Sequence, residues 1–337
     1  MHSRSGKITV ALVVVCALLG GGYVALAALA PDETTTDARP QAGEAPAGVA
    51  VMVRAVDPAS PTLNGRVFVV EDGKVRRRSG ELACERVYYA AGRGICMGVA
   101  PSGVDYTAKV FNANFETLHT IDLTGLPSRA RVAADGRYGA MTVFVAGDSY
   151  LGNSTAFSTR TTILDMASGE EIGQLERFKV TKGGKPFDAV DFNFWGITFA
   201  KDPNRFYATL ATGRHHYLVE GDIAAESMRV LRDGVECPSL SPDNRQIAFK
   251  SRIGEEDRWR VHVLDLSTLA DHPVAETRSV DDQVEWLDND TLAYSDGESV
   301  YTVPADGSGE EQLLLRDATS PVRLEVPSRS EGRTAAG

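Results

Sequence analysis

The 337 residues carry 35 Lys and Arg against 46 Asp and Glu, a formal net charge of −11 at pH 7. That balance excludes nucleic acid as a partner, because phosphate recognition needs a basic footprint. With 43% apolar residues, the bulk is a folded globular body of one or two domains, not a disordered chain.

The chain opens with Arg4 and Lys7, followed by an uncharged apolar run over residues 8–30. At about 1.5 Å per residue such a run crosses the ~30 Å hydrocarbon core of a bilayer. Asp32 and Glu33 follow it, so the charge bias leaves the N-terminus in the cytoplasm and sends the remainder outside. Its length favours an uncleaved signal anchor. Ala25-Leu26-Ala27 and Ala28-Leu29-Ala30 offer small-x-small sites for a cleavable signal peptide. The expected location is therefore the cell membrane with an extracytoplasmic domain, or the exterior if the segment is cleaved. Residues 31–48 are rich in Thr, Pro, Ala, Gly and acids, cannot build a core, and read as a disordered tether.

From Val49 to 327 the pattern is one of short β-branched or alternating runs bounded by Gly, Asp, Asn and Pro, with no amphipathic helix. A strand, tight turn and strand recur at 67–75, 109–116, 162–170, 217–222, 261–267 and 300–307. Their spacing lies near the ~40–50-residue period of propeller blades. Each hairpin predicts the outer half of a blade, and an inner pair precedes it. The clearest inner pair is Cys237-Pro238-Ser239-Leu240-Ser241-Pro242-Asp243-Asn244-Arg245-Gln246-Ile247-Ala248-Phe249, in which Pro-Asp-Asn supplies the turn. Residues 328–337 are polar and read as a flexible tail.

The stretch 241–249 and the downstream strand ending Val263-Leu264-Asp265-Leu266 resemble the WD-like repeats of the TolB-type β-propellers. The resemblance is specific over 236–315 and one of pattern over 84–235. It implies a propeller fold and, by family habit, a protein-interaction surface; TolB itself is a periplasmic partner of an outer-membrane system. This chain has no recognisable copy of TolB's separate N-terminal domain. Counting hairpins gives an all-β, six-bladed propeller. Residues 49–80 supply three strands, and a last strand at 321–326 completes that blade and closes the ring. Two stacked sheets are the structural alternative.

Cys84 and Cys96 flank one predicted hairpin and form the candidate disulfide, which export permits. Cys237 is then a small buried hydrophobe. No Cys/His spacing suggests zinc, and no metal or cofactor is expected. His215 and His216 are adjacent on a strand and point to opposite faces. Asp288-Asn289-Asp290 lacks the Gly and distal Glu of a calcium loop. Ser149 has Leu151 where a nucleophile elbow needs Gly, so no catalytic residue is assigned. Arg76, Arg77 and Arg78 fit a charged outer strand that blocks edge-to-edge pairing.

One constellation stands out. The starts of the innermost strands carry Glu85, Arg86, Arg129, Arg131, Asp188, Asp191, Glu236, Asp281 and Asp282. Charges of both signs would converge on one mouth of the channel, as a funnel for a peptide or small polar ligand. The leading functional expectation is a membrane-tethered module that binds or scaffolds an envelope protein or polar ligand. The alternative is an extracytoplasmic propeller hydrolase, lactonase or lyase working in the central pocket. A sensory ectodomain fits less well, since a few cytoplasmic residues leave no output module.

Overall fold

The computed structural model describes residues 40–42, 49–60, 62–145, 158–254 and 258–325. The N-terminal apolar run, most of the tether and the polar tail lie outside them. Among the described residues there is one short 3₁₀ turn, Leu175–Arg177, and otherwise only strands.

Six sheets of at least four strands, antiparallel except for one added parallel pairing at the edge of blade 4, follow one another around an axis. Blade 1 combines Ala318–Arg323 with Ala50–Ala55, Arg66–Glu71 and Lys74–Ala83, so the last strand is innermost in the first blade. Its register runs from Val51↔Arg323 to Ala55↔Ala318 and ties the two ends of the described chain together. Blade 2 starts at Arg86–Ala90, blade 3 at Leu126–Val132, blade 4 at Asn193–Phe199, blade 5 at Glu236–Leu240 and blade 6 at Glu285–Trp286. The six-bladed reading of the sequence is correct.

The middle two strands of each blade are buried on both faces, as at Tyr138–Val145, whereas the outermost strand of blade 2, Thr117–Leu123, alternates half-buried with exposed. Burial on both sides explains why the hairpins are visible as continuous apolar runs. Six apolar clusters form the core, one at each blade junction. Phe111 and Phe206 lie flat over cross-strand glycines: a Cβ on Gly94 would stand 2.2 Å from the Phe111 ring, and one on Gly221 2.0 Å from Phe206.

Two features go beyond the four-stranded plan. Lys179–Lys182 and Lys185–Phe187 form a hairpin around Gly183 and Gly184, both at positive φ. It lies parallel to Ser227–Asp233 and covers the outer edge of blade 4. The Gly-Gly signal was present in the sequence, but the run follows blade 3 and crosses to the rim of blade 4, which local pattern does not reveal. Second, Gln41–Ala42, inside the span whose composition suggests a tether, pairs with Gln312–Arg316 at the edge of blade 6.

All innermost strands run the same way, which gives the ring two distinct faces. The entry face holds their beginnings and the loops between second and third strands. The exit face holds their ends and the turns to the second strands.

Cys84 and Cys96 form a disulfide that ties the connection between blades 1 and 2 to the second strand of blade 2. Closing a loop of sequence separation 12 stabilises by about 3 kcal/mol in the chain-entropy model. Replacing both cysteines by serine is expected to lower the unfolding free energy by about 2–4 kcal/mol, read by urea titration, with the propeller still folded.

Candidate functional site: the axial channel

Five innermost strands each present one polar side chain at the axis, followed by a larger or apolar residue: Tyr88-Tyr89, Arg131-Val132, Thr198-Phe199, Ser239-Leu240 and Glu285-Trp286. The period-2 alternation of a strand turns the first member inward and sends the second toward the neighbouring blade. Glu285 is the hub. Its carboxylate accepts the Arg131 Nη1 at 2.6 Å, the Tyr88 hydroxyl at 3.1 Å to both oxygens, and the backbone N–H of Arg323 at 3.2 Å. Arg131 Nη2 donates to Ser239 Oγ at 3.0 Å and to the Val284 carbonyl at 3.3 Å. The Arg131 guanidinium also stands 4.4 Å from the Tyr88 ring centre. Trp286 Nε1 donates to the Ser239 carbonyl at 2.8 Å.

Burial pushes the Glu285 carboxyl above its ordinary value, and the attraction of Arg131 offsets this only in part. Burial likewise raises the Tyr88 hydroxyl. For Arg131 burial works toward neutrality, but Tyr88 and Glu285 outweigh it and hold the guanidinium charged.

This network divides the channel into two unequal mouths. On the exit face lies a cavity of about 550 Å³. Its floor is the Arg131–Glu285–Tyr88 cluster. Tyr89, Phe199, Leu240 and Trp286 give it apolar walls, and Lys201, Asn244 and Arg323 stand among its polar lining. On the entry side of the same cluster the described residues line a second cavity, of about 30 Å³.

The residues expected to form a funnel are distributed as follows. Glu85, Arg86, Arg129, Asp281 and Asp282 do converge on the entry face, but they meet each other. Arg129 reaches Asp281 Oδ1 at 3.5 Å and Asp282 Oδ1 at 3.8 Å, and Lys250 pairs with the same Asp281. Arg86 donates to the Ser128 carbonyl at 2.6 Å, and Arg54 pairs with Glu85 at 3.5 Å. Arg131 lies deeper, on the axis, because it is near the end of Leu126–Val132, and it lines both the entry-side and the exit-side cavity. Glu236 is buried between His216 and Arg252, each at 3.3 Å. Asp191 caps the blade 4 hairpin, accepting Thr212 Oγ1 at 2.6 Å and the Gly213 N–H at 2.7 Å, and these bonds hold its carboxyl below the usual range. Asp188 is exposed on the same connection. Among the described residues no group of three or more His, Cys, Asp or Glu is placed to hold a metal ion.

Sequence reasoning missed Tyr88, Ser239, Gln283, Glu285 and Trp286. The available signal was a polar residue interrupting an apolar inner strand at the same place in successive blades.

No family model matches the chain, and no curated protein matches it. Solved structures do. A crystal structure of TolB from Acinetobacter baumannii is 15% identical, with a TM-score of 0.60 over 82% of this chain and 66% of that one. The fold is TolB-like. The chain thus spans just under two thirds of the Acinetobacter TolB. A nidogen/laminin complex has a TM-score of 0.54 at 10% identity over 82% of this chain and 98% of that one. A putative TolB from Agrobacterium tumefaciens is 11% identical over 83% and 99%, with a TM-score of 0.49.

Because its folded-state value is raised, the Glu285 carboxyl contributes stability that is complete below its unfolded value of about 4.5 and is lost as pH rises through the folded value. Glu285→Gln removes that titration. The stability difference, parent minus variant, is therefore expected to be largest near pH 4 and to shrink toward pH 7 in denaturant titrations across that range.

Proposed function

We propose that the chain is an extracytoplasmic, membrane-tethered propeller that binds an envelope protein or a polar ligand in its exit-face cavity. The observation that carries this reading is the cavity itself. At about 550 Å³ it falls within the ~300–1,000 Å³ of ligand sites, and it combines aromatic walls with a few fixed polar groups. Its floor is pre-organised, because every oxygen of Glu285 and both Nη atoms of Arg131 are already hydrogen-bonded. A guest therefore meets a rigid surface and orders little on arrival. Export is supported by Arg4, Lys7 and the apolar run that follows them. The TolB-like fold is compatible with a binding role and does not by itself assign one.

A photoreactive analogue at Tyr89, on the cavity wall, is expected to capture a discrete partner in intact cells. Ala134→Trp, which fills the cavity mouth from its lining, is expected to reduce that capture at least tenfold. A control analogue at Arg76, on the outermost strand of blade 1, should capture none of it. Equal capture from Arg76, or capture unaffected by Ala134→Trp, would contradict a cavity site.

A further inference from the structure

The exposed apolar side chains are distributed unequally between the two faces. Scattered exposed apolar residues are ordinary on a soluble protein, so one-sidedness is the informative feature. Of the eight large exposed ones among the described residues, Leu118 and Ile172 lie on outermost strands. The other six, Val99, Val104, Leu126, Phe144, Val190 and Ile253, all lie on the entry face, over blades 2 to 5. Val104 and Val190 are 80% and 81% exposed. Leu126 and Phe144 are cross-strand partners and form one continuous surface.

Two further facts concern the same face. Several of the charges around its mouth pair with one another, Arg129 with Asp281 and Asp282, Lys250 with Asp281 and Arg54 with Glu85, and the described cavity there is small, about 30 Å³. Moreover, the chain enters the propeller there. Gln41 pairs with Arg316, the last residue of the outermost strand of blade 6, and Ala42 with Leu315. Gln312–Arg316 runs toward the entry face, so Pro40 lies on the entry side of Gln41. Residues 31–40 link this point to the apolar run and, fully extended, reach at most ~35 Å.

We infer that the entry face rests on a lipid bilayer, with the apolar side chains of blades 2 to 5 in the interfacial region and the open cavity pointing away from the membrane. This rests on the membrane tether proposed above. A short tether supplies an effective concentration of millimolar order, so individually weak apolar contacts suffice to bias the orientation. A net charge of −11 selects a zwitterionic over an anionic lipid surface.

The test uses the full chain, in a Cys16→Ala background, reconstituted into phosphatidylcholine vesicles. Fluorophores are placed singly through Val104→Cys, Val190→Cys and, on the exit face, Ala113→Cys. Lipid carrying a quencher near the headgroup is expected to quench the labels at 104 and 190 at least threefold more than the label at 113. Adding Leu126→Asp and Ile253→Asp should cut that difference by half or more, and a 30% content of anionic phosphatidylglycerol should reduce it. Equal quenching of a vesicle-bound chain overturns the orientation and leaves the tether standing. Protection of 104 and 190 that scales with protein density, without lipid quenching, assigns the face to a second copy and also overturns it. A chain that does not co-float with the vesicles overturns tether and orientation together.

Discussion

The Glu285 carboxylate, buried on the axis, is the point to which the ring is tied. Glu285 belongs to blade 6, and its partners Tyr88, Arg131 and the Arg323 backbone belong to blades 2, 3 and 1. Arg131 carries the connection on to Ser239 in blade 5. Gln283 Nε2 completes it by donating to the Gly196 and Ile197 carbonyls of blade 4 and to Pro238 of blade 5, at 3.2, 3.1 and 2.6 Å. Blade junctions filled with apolar side chains are non-directional and permit small rotations. A buried cluster built on a charge pair does not, since any slip leaves a charge without its counterpart in a low-dielectric site.

That arrangement also decides what the channel can do. Among the described residues the axis is occupied by side chains, with a small cavity on the entry side and a large one on the exit side. On the entry face several ionic groups pair with one another, and exposed apolar side chains lie over blades 2 to 5. On the exit face the same axial cluster becomes the floor of a cavity with aromatic walls. The axial cluster thus separates two faces of different character.

The sequence and the structure agree where the physics is local. The middle strands of each blade are packed on both faces, so 109–116 or 261–267 read as strands without further context. The Pro242-Asp243-Asn244 turn and the closing strand near Val322 were legible for the same reason. The axial cluster was not, because Arg131 and Glu285 lie 154 residues apart and meet only once the ring has closed. The charges of the entry face were legible as charges. What pattern could not supply was that Arg129 would find Asp281 and Asp282. The hairpin at Gly183 and Gly184 was not read from the sequence, because it lies outside the blade repeat and covers the outer edge of blade 4.

The most direct test of the central claim is a double-mutant cycle on Arg131 and Glu285. Arg131→Met, Glu285→Gln and the pair would be compared by urea unfolding at pH 7. Each single change leaves a buried charge without its partner and is predicted to cost about 3–5 kcal/mol, and the double variant is predicted to cost at least ~2 kcal/mol less than the two singles together. Costs that add to within ~0.5 kcal/mol would show that the two groups do not act as one unit and that the axis is not what holds the ring in register.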